Sequence, residues 1–156
     1  MVELPPDFRD VLVALADAGA DVMVVGGYAV AYYGYPRATK DLDIFVRSEA
    51  LNGQRVFSAL AAFGAPLARL GVTADDFAKP GRVVQIGLPP LRIDVINQLD
   101  GVDFEEARRE AGTFEVDGRS IRVIGRAALL ANKRATGRPQ DLSDVVALER
   151  LGADER

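Results

Sequence analysis

The stretch VVGGYAVAYYGYPRATKDLDIFV, residues 24–46, decides the fold. Its apolar beginning continues a short strand from Val22 to Val25, and Gly26 and Gly27 turn that strand into a short helix ending near Gly34. Its end alternates, with Leu42, Ile44 and Val46 on one face and Asp41, Asp43 and Phe45 on the other. Two carboxylates therefore stand side by side on one strand. A third follows in LRIDVI, residues 91–96, where alternation turns Leu91, Ile93 and Val95 inward and Asp94 outward.

Working outward, Pro5 and Pro6 open an amphipathic helix through Phe8, Val11, Leu12 and Leu15 that stops at Gly19. Ser48 is placed to cap a helix running to about Phe63, and Thr73 to cap a short turn through Phe77. RVVQIGL, residues 82–88, is a strand separated from LRIDVI by Pro89 and Pro90. Residues 103–110 are helical in character, and TFEV, Asp117, Gly118 and RSIRVI form a hairpin. Two closing helices follow, residues 126–136 and then a segment with Leu142, Val145, Val146 and Leu151 at helical spacing. The expected architecture is α+β, a mixed sheet flanked by helices with further helices at the C-terminal end. No repeat or linker interrupts the 156 residues, so one domain is expected.

Hydrophobic residues make up 49% and charged residues 27%, ordinary values for a chain that folds throughout. The longest uncharged run, residues 22–36, is shorter than the ~20 residues a membrane span needs, so no membrane segment is expected. The start MVELPPDF lacks the basic and apolar stretches of a secretory signal, which makes a cytoplasmic location the expectation. With no histidine and no cysteine, the common general base, the thiol nucleophile and the soft metal ligands are all missing. Zinc is not expected, whereas oxygen-ligated magnesium or manganese is available to the aspartates. The net charge of −4 argues against a general nucleic-acid coat. Residues 119–138 nevertheless carry six basic side chains and no acidic one, a patch able to meet triphosphate, RNA or an acidic partner, or simply a solvated face.

Each element alone has a plain explanation: a tight turn for the glycines, a solvated strand face for the aspartates. Together they converge at one end of a sheet, and three clustered carboxylates repel one another unless cations neutralise them. As a set, VVGGYAVAYYGYPRATKDLDIFV and LRIDVI resemble the nucleotidyltransferase superfamily that includes polymerase beta. The resemblance is to its minimal bacterial members, the AbiEii-like type of toxin–antitoxin and abortive-infection systems. Thirteen residues separate Gly27 from Asp41, a spacing similar to the family's. NKRATGRPQDLSDVVALE, residues 132–149, also looks like these members, with a lysine-bearing helix followed by an aspartate-rich helix start.

That resemblance implies transfer of a nucleoside monophosphate from a nucleoside triphosphate to a hydroxyl acceptor, with release of pyrophosphate. Asp41, Asp43 and Asp94 would be the catalytic, metal-binding trio, holding Mg²⁺ or Mn²⁺, with Asp94 on the acceptor side. Gly26 and Gly27 would let backbone N–H groups approach phosphate, and Arg37, Thr39 and Lys133 would complete the nucleotide site. Asp141 is carried over too, although an acid opening a helix is favoured by the helix dipole in any protein. The residues leave the acceptor open between a tRNA end, a protein hydroxyl and a small molecule such as an aminoglycoside; the resemblance favours a protein or a tRNA, and a cognate toxin or antitoxin partner, or a homodimer, would supply what so small a chain lacks.

Two other classes compete. A phosphatase of the haloacid dehalogenase type also uses an aspartate pair, but needs threonine where Phe45 stands, and neither a GxxxxGK[ST] loop nor a GxGxxG turn occurs. The alternative from another class is a non-catalytic nucleotide-binding or antitoxin-like protein on the same fold.

Overall fold

The computed structural model describes residues 3–87 and 91–154. Pro89 and Pro90, expected to separate two strands, lie outside the described residues, as do Met1 and Val2. The elements in chain order are α1 (Pro6–Asp17), β1 (Val22–Val25), α2 (Gly26–Tyr32), β2 (Asp41–Val46), α3 (Ala50–Phe63), α4 (Leu67–Leu70) and α5 (Ala74–Ala78). After them come β3 (Val83–Ile86), β4 (Arg92–Ile96), α6 (Phe104–Arg109), β5 (Gly112–Val116), β6 (Arg119–Val123), α7 (Arg126–Thr136) and α8 (Pro139–Asp154). Six strands form one mixed sheet in the order β3-β4-β2-β1-β6-β5. The pairs β1–β2, β3–β4 and β5–β6 are antiparallel, whereas β1–β6 and β2–β4 are parallel. The expected α+β arrangement is what forms.

The apolar spacing of α1 does what its period dictates: Phe8, Val11, Leu12 and Leu15 are all buried. They pack with Met23, Val24, Leu42, Ile44 and Val46 of the central strands and Val56 and Leu60 of α3 in one core cluster. The edge of the Phe8 ring meets the Tyr28 ring of α2, with centroids 5.8 Å apart. Asp117 and Gly118 both adopt positive φ, 47° and 80°, the signature of a two-residue hairpin turn between β5 and β6.

Several local expectations are corrected. The α3 N-cap is Glu49, without a side-chain cap bond, so Ser48 does not cap the helix. Phe45 is buried on the carboxylate face because α6 covers it there, its ring 5.1 Å from that of Phe104. Leu91 precedes β4 and is 44% exposed, so the inward face of that strand begins at Ile93. In α8 the inward stripe is Asp141, Asp144, Val145 and Leu148, while Leu142 and Val146 face outward. Their helical period is present but rotated, because two aspartates take core-facing positions. α4, not anticipated from the sequence, joins α3 to α5.

Buried Asn52 fastens the end of the sheet away from the glycine turn. Its Oδ1 accepts from the Asp21 N–H at 2.6 Å, and its Nδ2 donates to the carbonyls of Asp21 and Arg47 at 3.0 and 2.8 Å. One α3 side chain thus satisfies backbone groups at the start of β1 and the end of β2. Asn52→Ala should cost about 2–3 kcal/mol in denaturant unfolding, because it removes three part-buried hydrogen bonds and leaves the Asp21 N–H and Arg47 carbonyl without their side-chain partner. A loss under ~0.5 kcal/mol would contradict the assigned role.

Candidate active site

The strand registers bring the aspartates together. Val25 of β1 lies opposite Asp43 of β2, and Asp43 lies beside Asp94 of β4. The glycine turn, Asp43 and Asp94 therefore occupy one transverse line across three adjacent strands. Asp41 lies one pleat further along β2, beside Arg92. The turn is held tightly to this line: a Cβ on Gly26 would overlap the Asp43 carboxylate, and the φ of +68° at Gly26 favours glycine as well. A Cβ on Gly27 would fall 2.6 Å from Thr39 Oγ1 and 3.5 Å from Arg37 Nη1. Thr39 Oγ1 donates to the Asp41 carbonyl at 3.3 Å, fixing the segment that leads into β2.

Electrostatics at this line are unfavourable to three free carboxylates. Burial, reinforced by the charges of Asp94 and Asp41, pushes the Asp43 carboxyl up to about 7, with Lys133 opposing. Burial and the charge of Asp41 push Asp94 up as well, with Arg92 opposing. Asp94 Oδ1 is buried without a hydrogen-bond partner. Asp41 is engaged by Arg92, whose Nη2 donates to its Oδ2 at 3.1 Å. Among the described residues, no three acidic side chains converge into a ready-made cation cage. Among the described residues, Arg92 is the cation in direct contact with the trio, through Asp41. The donor set still fits a hard divalent cation, being oxygen-only, partly buried and carrying an orphaned carboxylate oxygen in Asp94.

Arg37 and Lys133 belong to a second cluster, of which Arg37 reaches the Gly27 side of the turn. Arg37 donates through Nε and Nη2 to the two carboxylate oxygens of Asp144, both at 2.9 Å. Lys133, 5% exposed, sits between two acids, 3.2 Å from Asp141 Oδ1 and 2.9 Å from Asp144 Oδ2. Asp141 also accepts from Arg138 Nε at 2.8 Å and from the Arg138 backbone N–H at 3.3 Å. It therefore tightens the start of α8, as its position suggested, and pairs with lysine in addition. Burial pushes Asp141 and Asp144 up, and their cationic partners outweigh it, leaving both below the usual carboxylate range. Asp144 and Arg92 were missed in the sequence. Asp144 was detectable as the third position after Asp141 on one helix face, and Arg92 as the same-face neighbour two residues before Asp94.

No curated protein matches the chain in sequence. Among solved structures, ANT(2")-Ia in complex with adenylyl-2"-tobramycin superposes with a TM-score of 0.57 at 14% identity, covering 95% of this chain and 89% of that one. A candidate nucleotidyltransferase from Thermotoga maritima gives a TM-score of 0.55 at 13% identity, over 99% and 97% of the two chains. An antigenic nucleotidyltransferase-like protein from Paracoccidioides brasiliensis gives 0.54 at 17% identity, over 93% and 76%. These likenesses establish a shared fold. A family model described as nucleotidyl transferase of unknown function (DUF2204) matches residues 6–156, and the chain belongs to that family of nucleotidyl transferases.

Proposed function

We propose that this chain, acting as one domain, moves a nucleoside monophosphate from a nucleoside triphosphate onto a hydroxyl acceptor and releases pyrophosphate. The observation that carries the reading is the single line formed by the Gly26 turn, Asp43 and Asp94. Asp41, Asp43 and Asp94 would hold Mg²⁺ or Mn²⁺. When bound, the ions supply charge neutralisation of the triphosphate and polarisation of the acceptor hydroxyl. The backbone at Gly26 and Gly27 approaches the phosphates without side-chain obstruction, and Thr39 holds the segment that carries Asp41. Arg37 and Lys133 add positive charge to the nucleotide side of the site. The Asp94 carboxylate takes the acceptor proton as the acceptor oxygen bonds the alpha phosphorus and the bond to the beta-phosphate oxygen breaks.

The acceptor class follows from the AbiEii-like resemblance, which favours a protein or a tRNA, with a toxin or antitoxin partner or a second copy of the chain completing the site. The similarity in fold to ANT(2")-Ia, solved with adenylyl-2"-tobramycin, makes a small-molecule hydroxyl the other outcome to be sorted. Label transfer from each alpha-labelled nucleoside triphosphate into cell extract, followed by nuclease or protease digestion, distinguishes the three.

In that assay Asp41→Asn or Asp43→Asn should lower transfer at least ~100-fold, as expected for losing a charge used in the transition state. Full activity of purified Asp43→Asn would overturn the assignment. Gly26→Ala places a methyl on the Asp43 carboxylate and strains the backbone by about 1–2 kcal/mol, so it should lower transfer more than tenfold in a protein that remains folded. Wild-type rates from Gly26→Ala would show that the turn need not touch Asp43.

Stability without metal should depend on pH through Asp43. Between the ordinary carboxylate value of 3.8 and about 7, the unfolded side chain is ionised while the folded one keeps its proton. Folding is therefore penalised increasingly as pH rises, fully above 7. Asp43→Asn removes the penalty, so in chelator its Tm should exceed that of wild type by more at pH 8.5 than at pH 5. A Tm difference that shrinks with pH would contradict the half-buried, repelled carboxylate.

A further inference from the structure

The ion cluster formed by α7, α8 and the segment before β2 is more elaborate than packing requires. Asp144 is fully buried, yet it carries charge in a position where helix spacing calls for an apolar side chain. Buried ion pairs are poor stabilisers compared with apolar residues of similar volume, so the cluster is not explained by stability alone. It contains three cations, Arg37, Lys133 and Arg138, and two anions, Asp141 and Asp144, leaving one positive charge in excess.

The excess charge has a direction. The Asp144 carboxylate grips Arg37 along the Nε–Nη2 edge, which sets the plane of the guanidinium. Nη1, the arm left outside that grip, donates to the Ala38 carbonyl at 3.3 Å and lies beside Gly27. Lys133, held by the same carboxylate from α7, acts electrostatically on Asp43, the aspartate against which the Gly26 turn packs. Gln140 Nε2 donates to Asp144 Oδ1 at 3.0 Å and steadies the carboxylate from within α8.

We infer that Asp144 is a positioning residue for phosphate recognition: its buried carboxylate sets Arg37 and Lys133 as one cationic pair beside the Gly26–Gly27 turn. The inference rests on the nucleotidyl-transfer reading, because the ligand that the pair would meet is the triphosphate of a nucleoside triphosphate. It assigns the C-terminal helix pair a part in substrate binding through a residue that itself touches no substrate. Arg37 and Lys133 pre-set in this way lose little side-chain freedom when phosphate arrives, which favours affinity for the triphosphate.

Steady-state transfer by the full chain tests this, with the triphosphate varied and Mg²⁺ fixed. Asp144→Asn keeps the shape but removes the charge, and should raise KM for the triphosphate about tenfold while lowering kcat by much less. Arg37→Gln, which leaves Asp144 paired with Lys133 and Gln140, should raise KM similarly. Adding Asp144→Asn to Arg37→Gln should then cost less than it does in the wild-type background, because the two act through a shared contact. A purely structural role predicts instead a lower Tm and a smaller active fraction with KM unmoved, and that result overturns the inference. If Asp144→Asn does not fold, KM of Arg37→Gln equal to that of wild type also overturns it. Wild-type transfer with unmoved KM in the variants sinks this inference and leaves the nucleotidyl-transfer reading standing. Absence of transfer and of triphosphate binding by wild type overturns both.

Discussion

The Asp43 carboxylate stands in the space that a side chain at position 26 would fill. That contact requires glycine at the end of β1, a left-handed backbone at the turn, and an antiparallel register placing Val25 opposite Asp43. The parallel pairing of β2 with β4 then sets Asp94 beside Asp43. Slipping either strand by one residue would turn the aspartates into the α1 and α3 core and the apolar residues outward. The buried Leu42, Ile44, Val46, Ile93 and Val95 hold that register against slippage. The hydrophobic core and the candidate site are thus two faces of one arrangement of strands.

Charge is the cost of the arrangement. Asp43 is half-buried next to two like charges, and the chain answers with Arg92 on Asp41 and with the charge of Lys133 on Asp43. In the second cluster the carboxylates of Asp141 and Asp144 are paired with cations by contrast, and they lie low where those of Asp43 and Asp94 lie high. Two acidic groups close in space thus have opposite electrostatic states, one frustrated and one satisfied. Repelled carboxylates of this kind are the electrostatic state that a divalent cation would relieve, as the proposed function requires.

Much of this was legible in the sequence because it depends on short periods. Alternation in DLDIFV and LRIDVI put the three aspartates on strand faces, and Val22 to Val25 with the glycine pair marked the strand and turn. What escaped depended on tertiary partners. Phe45 has the parity of a carboxylate-face residue, and its burial follows only from α6 folding over it. The inward stripe of α8 was rotated because an apolar-only count omits Asp141 and Asp144, whose burial is made tolerable by Arg37 and Lys133 from distant segments. Arg37 was singled out for its place just ahead of the aspartate pair and Lys133 through the resemblance of residues 132–149, both without the acids that orient them.

The central claim is that the glycine turn and the aspartates form one site for a metal-bound triphosphate. Electron paramagnetic resonance of Mn²⁺, titrated into the protein with a non-hydrolysable nucleoside triphosphate, tests it most directly. The account predicts a bound Mn²⁺ signal that strengthens with the nucleotide and is lost in Asp43→Asn. Equal Mn²⁺ binding by wild type and Asp43→Asn, or none by either, would contradict it.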